Sequence, residues 1–273
     1  MAITLRSPHK FKERILLFGG AGAGKTNAVL QIASHVPGEF WIYDNDYSFA
    51  YNRALSSEFT DLDDTGRIHV HEASDTTWTS CIDTVEKMVK AADEDTDWLV
   101  IDSITPTWGW VQNWFQETVY GQDLAAHLVE LKKTHADDAK AYGRAVLEDM
   151  NWPLVKKEYQ RLYRIIQQWK GHLIITAEAK QVGRGADDND RMLYGHLGFK
   201  PSGEGSLHHM ASTNLFLSHP DRNRWVVDTV KDRNREELEK VEVDNFAMDY
   251  LKGVAGWKVK KKQTAEAGEG EGE

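Results

Sequence analysis

The chain of 273 residues is 41% hydrophobic and carries 33 Lys and Arg against 43 Asp and Glu, a net charge of −10. That supports a sizeable core but excludes two classes. No run approaches the roughly 18 apolar residues that cross a bilayer, and the single cysteine, Cys81, leaves no internal disulfide. With no apolar signal segment in Met1 to Arg14, the expectation is a soluble, cytoplasmic protein with no membrane partner. Its acidic balance gives no support to nucleic-acid binding, so any such contact falls to a few loops.

In chain order, Arg14-Ile15-Leu16-Leu17-Phe18 reads as a buried strand and Asn27 to Ser34 as a helix. Between them, Gly19-Gly20-Ala21-Gly22-Ala23-Gly24-Lys25-Thr26 fits G-x-x-x-x-G-K-[ST]. Strand, glycine loop and helix together are the context a phosphate-binding loop requires. The glycines let successive N–H groups curl into an anion-binding nest, and the helix N-terminus adds positive potential. Gly19 to Asn27 are therefore the candidate cradle for ATP. Lys25 is expected on the β- and γ-phosphates and the Thr26 hydroxyl on Mg²⁺.

Glu39 to Asp44 reads as a second strand, ending in Asp44-Asn45-Asp46. Either acid would cap the helix expected over Ser48 to Leu55, and both stand at the edge where open α/β sheets bind ligands. Arg67-Ile68-His69-Val70-His71 is a short strand whose alternating histidines form a polar face rather than a metal pair. Thr77 to Ala92 has Cys81, Ile82, Val85, Met88 and Val89 at helical spacing. Asp97-Trp98-Leu99-Val100-Ile101-Asp102-Ser103 is an apolar strand running into an acid, the second signature of phosphate-loop NTPases, with Asp102 holding Mg²⁺. Ser103 follows where many ATPases place a water-activating Glu.

These strand ends, Tyr43-Asp44-Asn45-Asp46 and Ile101-Asp102-Ser103, resemble those of the RecA/RadA branch. The resemblance implies that Asp46 occupies the position of the catalytic base, one methylene shorter than the usual Glu, with Glu178 as the fallback.

Thr105 to Trp169 is expected to be mostly helical. Trp110 and Trp114, four apart, share a face that reads as core before it reads as a base-stacking surface. Gln122 to Asp149 is charged and reads as a protruding helical hairpin or mobile insertion, interrupted near Gly143. Asn151-Trp152-Pro153 opens a helix with Leu154, Val155, Tyr159, Leu162, Ile165, Ile166 and Trp169 on its apolar side and Gly171 past its end. His172 to Ala177 is a buried strand reaching Glu178. The RecA likeness makes Thr176 or Glu178 the sensor of the γ-phosphate.

Gln181 to Ser206 reads as a long polar loop rich in glycine. It carries Arg184, Arg191 and Lys200 beside Asp187, Asp188, Asp190 and Glu204, and the likeness places it in a DNA channel. His208-His209 suits exposed or capping roles. Thr213 to Leu217 and Trp225 to Val230 form a strand pair around Pro220-Asp221-Arg222-Asn223. After it, Lys231 and Arg233 project to one side. The likeness has such a pair reach a neighbouring subunit's γ-phosphate; the alternative is a solvated cluster with Arg235 and Glu236.

Over residues 12–235 this order is similar to core-only RecA/RadA-type ATPases, above all the phage ATP-binding proteins that support single-strand annealing and recombination. The resemblance implies an α/β, RecA-like P-loop NTPase core, a mostly parallel sheet flanked by helices. It would be one domain over 1–257 with a helical insertion at about 107–150, followed by a disordered basic-then-acidic tail at 258–273. It further implies a Mg²⁺-dependent ATPase acting on single-stranded DNA, in host cytoplasm if phage-encoded. The protein would be a homo-oligomer, ring or filament, with composite ATP sites; a single-stranded-DNA-binding protein would be a further partner. A ring helicase or helicase loader, a clock, kinase or partner-binding switch, and a nucleotide-switched assembly protein without DNA are the alternatives.

Overall fold

Ile15 to Phe18, Trp98 to Ile101 and Leu173 to Ile175 are wholly buried. Strands apolar on both faces must be covered on both, as in a parallel sheet between helix layers. The computed structural model contains that sheet. It describes residues 12–257 apart from 56–58, 60–61, 63–64, 74, 92–94, 150, 184, 222–223, 233–234 and 236–237. The strands are β1 (Arg14–Gly19), β2 (Phe40–Asp44), β3 (Ile68–Glu72), β4 (Trp98–Asp102), β5 (His172–Gln181), β6 (Phe199–Pro201), β7 (Thr213–Asp221), β8 (Arg224–Asp232) and β9 (Val241–Glu242). Their order is β3-β2-β4-β5-β1-β7-β8-β9, with β6 paired to the outer part of β5. β3, β2, β4, β5, β1 and β7 run parallel. β6, β8 and β9 join antiparallel to their neighbours. This is the α/β architecture of a P-loop NTPase core.

Alternation along each strand divides the core into two layers. On one face Ile15, Leu17, Ile42, Val100 and Ile174 meet Val29, Leu30 and Ile32 of α1 (Lys25–His35) and Tyr250 and Leu251 of a π-helical segment, Ala247–Lys252. On the other, Leu16, Phe18, Leu99, Ile101 and Leu173 meet α3 (Trp78–Ala91), α4 (Thr107–Tyr120) and α7 (Trp152–Gln167). Between α1 and α3, α2 (Ser48–Leu55) follows directly on β2. Trp110 and Trp114 are partly buried against the second layer, in keeping with core packing.

Four expectations need correction. Leu154 is 52% exposed, because the buried stripe of α7 runs through Val155, Tyr159, Leu162 and Ile166, about 100° round the helix from it. Gly143 interrupts nothing: α5 (Leu124–Thr134) and α6 (Ala139–Asp149) are both continuous. Gln181 to Ser206 is not a structureless loop. β5 extends to Gln181, Asp187 caps α8 (Asp188–Tyr194) by accepting from Asp190 N, and β6 folds back on β5 with Tyr194 and Leu207 buried. The β7–β8 pair is longer at both ends than the apolar runs alone indicate. α5 and α6 bury only His127 among their described side chains, whereas α4 sinks Val111 and Phe115 into the core. The tail at 258–273 lies outside the described residues.

Candidate functional site

The parallel pairing along β1 stops at Gly19, and that of β2 with β4 at Asp44, so residues far apart in sequence meet at one edge. Gly19 is level with Glu178 on β5 and with Leu217 on β7, and Asp44 is level with Asp102. A side chain at Gly19 has no room: its Cβ would lie 2.3 Å from the Leu217 carbonyl oxygen. Gly22 and Gly24 have positive φ, 72° and 86°, which bends the backbone into a concave loop directly before α1.

Lys25 reaches back over this loop, its Nζ donating to the Gly19 and Gly20 carbonyls at 3.0 Å. Burial pushes its ammonium below the usual lysine range, and Asp102, Glu178 and Asp46 oppose that shift. These three acids therefore form its electrostatic surroundings, although Asp102 ends β4, Asp46 follows β2 and Glu178 lies within β5.

Asp102 is 2% exposed. Its Oδ2 accepts from Thr26 Oγ1 at 2.8 Å and Ser48 Oγ at 3.2 Å, and its Oδ1 accepts from Thr176 Oγ1. Burial raises its pKa, and the hydroxyl donors pull it back. Asn45 clamps the following backbone: Nδ2 donates to the Ser103 carbonyl at 2.6 Å while Oδ1 accepts from Ser103 N at 3.1 Å.

Ser48 reaches Asp102 because Asp44 anchors the start of α2. The fully buried Asp44 carboxylate accepts from Phe49 N at 3.0 Å and from Ser48 N and Asp46 N at 3.3 Å. Burial lifts its pKa to about 6. Capping thus belongs chiefly to Asp44. Asp46 is exposed, with Oδ1 accepting from Ser48 N at 3.0 Å.

Lys25, Thr26, Asn27, Asp46, Ser48, Asp102, Glu178 and Trp225 line a cavity of about 580 Å³ together with Ala21 to Gly24. Its size suits a small-molecule site. Glu178 is exposed there; Thr105 Oγ1 accepts from its N–H at 2.8 Å, which pins its backbone. Thr26 Oγ1, Ser48 Oγ and Asp102 Oδ2 stand 2.8–3.2 Å apart. Neighbouring ligands of an octahedral ion with oxygens at 2.0–2.1 Å are about 2.9 Å apart, so this all-oxygen set fits Mg²⁺.

The structure thus gathers Lys25, Thr26, Asp46, Asp102 and Glu178, with Gly19 and Gly20 forming the base of the loop. Lys231 lies elsewhere, level with Asn214 and Leu16, its Nζ donating to the Ala211 carbonyl at 2.9 Å. Arg233 and Arg184 lie outside the described residues. His69 contacts Glu39 at 3.1 Å, His71 stacks on Tyr43, and His208 lies against His209. No metal-binding cluster of three or more His, Cys, Asp or Glu occurs among the described residues. Sequence reasoning missed Ser48, Asn45 and Trp225. Only Ser48 left a trace, as the residue that Asp44 or Asp46 would cap.

A family model described as an AAA domain matches residues 12–234. No curated protein matches the chain. No helix among the described residues is long and apolar enough to cross a membrane.

Proposed function

The chain belongs to the AAA-domain family of P-loop ATPases, and we propose that it is a Mg²⁺-dependent ATPase of RecA type that acts on single-stranded DNA in recombination or annealing. The observation that carries the ATPase reading is the meeting of Lys25, Thr26, Ser48, Asp102, Asp46 and Glu178 at one cavity against the glycine loop. Lys25 and the loop N–H groups bind and orient the phosphates, holding the γ-phosphoryl in line for attack. Thr26, Ser48 and Asp102 would hold Mg²⁺, which neutralises charge building on the phosphate oxygens. Asp46 orients the attacking water, its carboxylate fixed by the Ser48 N–H bond. Glu178, on the strand beside the loop, faces the γ-phosphate and relays its state.

The DNA reading is supported by the path out of the site. Glu178 leads straight into the β5–β6 excursion, which carries Lys180 and Lys200. Its Ser202 N–H returns to the Glu178 carbonyl at 2.7 Å. A hydrolysis-dependent shift at Glu178 would therefore move those lysines. Lys231 and Arg233 are proposed to act in a neighbouring subunit's site, since Lys231 stands three residues back from the level of its own loop.

ATP turnover measured with and without single-stranded DNA across a salt series tests this. We expect stimulation that weakens with salt, and turnover reduced by about 10³-fold in Lys25→Ala. Turnover indifferent to DNA at every salt concentration removes the DNA reading. Failure of the protein to bind Mg-ATP removes the ATPase reading itself.

A further inference from the structure

Resting on the cavity as a nucleoside triphosphate site, we propose that Trp225 is the platform on which the base of that nucleotide stacks. Trp225 is the second residue of β8 and is 38% exposed, whereas Val227, two positions on and on the same face, is wholly buried. Its indole edge lies against the phosphate loop: a Cβ on Gly24 would sit 3.1 Å from Cδ1 and 3.2 Å from Nε1. Across the hairpin, His219 stacks on it at 4.7 Å between centroids and 3° between planes, bracing the ring.

Trp225 is the one aromatic side chain among the described residues lining the cavity with Lys25 and Asp102. It also walls a smaller hollow of about 60 Å³ beside Asn27 and Asp244. A base tied through its sugar to phosphates in the loop must lie against a wall near that loop, and among the described residues lining the cavity this indole is the aromatic ring beside it. Stacking depends on ring area and not on the hydrogen-bonding edge. The site therefore takes purine triphosphates, adenine and guanine alike, in preference to pyrimidines.

Calorimetry on the full chain, with Mg-ATP and with Mg-tripolyphosphate as a ligand lacking base and sugar, tests the platform. In the unmodified protein ATP should bind about 5- to 150-fold more tightly than tripolyphosphate. Trp225→Ala should erase most of that advantage and leave tripolyphosphate affinity within about twofold, while Trp225→Phe keeps most of it. Equal affinity of the unmodified protein for both ligands overturns the proposal, as does a Trp225→Ala protein that loses both equally or loses neither. If that variant does not fold, Trp225→Phe against Trp225→Leu decides: equal ATP binding by the two overturns the platform. If the unmodified protein binds neither ligand, the triphosphate reading falls and takes the platform with it, an outcome distinct from a failure confined to ATP.

Discussion

The two ends of the parallel strands treat buried polar groups in opposite ways. At the N-terminal ends the chain encloses them. Glu13 Oε1 accepts from Arg235 Nη2 at 2.6 Å and Trp257 Nε1 at 2.9 Å, and Glu13 N donates to His172 Nδ1 at 3.0 Å. His172 packs against the rings of Trp98 and Trp257, at 4.5 and 4.8 Å between centroids, and those two rings meet each other at 5.4 Å. At the C-terminal ends Asp44 and Asp102 are equally buried, but Asp46 and Glu178 beside them open onto the cavity. A buried charge without its partners is costly. One edge therefore recruits partners from distant segments to hold the fold, and the other leaves acids facing a place where a ligand can complete them.

If that division is real, changing the acids of the open edge should cost turnover and spare stability. Asp46→Asn is expected to lower ATP turnover by about 10²–10³-fold, with Mg-ATP affinity and the melting temperature close to those of the unmodified protein. Glu178→Gln should lose less. Steady-state rates beside thermal melts make the check. A larger loss in Glu178→Gln transfers the water-orienting role to that residue, and a collapse in melting temperature for either would blur the contrast between the edges.

How much of this could be read from sequence follows from how local each contact is. The loop at Gly19 to Thr26 and the strand ending at Asp102 depend on neighbours within a few residues, and both were legible. Asp46 and Glu178 were legible only through a likeness, since their meeting needs β4 to set the end of β2 and the outer part of β5 at one edge. The role of Ser48 depends on Asp44 turning it toward β4, a contact that a capping pattern alone does not specify. Trp225 was illegible: it reaches Gly24 only because β7 pairs with both β1 and β8 and so brings β8 within one strand of the loop. In Gln181 to Ser206 the glycines outweighed a capping pair, Asp187 and Asp190, that in fact starts a helix.

At the closed edge the expectation reverses. Glu13→Ala takes the closest acceptor from Arg235, leaving it the Tyr250 hydroxyl at 3.2 Å and Asp232 at 3.6 Å, and leaves Trp257 Nε1 without its Glu13 acceptor. Since the Arg235 side chain is 19% exposed and keeps the Tyr250 hydroxyl, the loss should be near the lower end of the roughly 3–5 kcal/mol that a broken buried pair costs. A lower urea midpoint with an unchanged slope would register it, and Mg-ATP affinity should stay within about twofold. A large loss of affinity in this variant would tie the two edges together and end the comparison.

Acid separates the edges more finely, because their titrating groups move in opposite directions. Burial pushes His172 down to about 3 from an ordinary 6.5. Below pH 6.5 the unfolded chain takes a proton that the folded chain refuses, so stability is lost as the pH falls from about 6.5 toward 3. By pH 5 this amounts to roughly 2 kcal/mol. Burial pushes Asp44 up to about 6 from an ordinary 3.8. Between those values the folded chain holds a proton that the unfolded chain lacks, so stability from this group rises as the pH falls through the window. Urea unfolding at pH 7, 6 and 5 should therefore show a gentler acid loss in His172→Gln, which keeps an acceptor for Glu13 N. Asp44→Asn should show a steeper one, since it removes the opposing contribution. Parallel curves for both variants and the unmodified protein would mean that neither buried group differs between folded and unfolded chains, contrary to the enclosure seen at both edges.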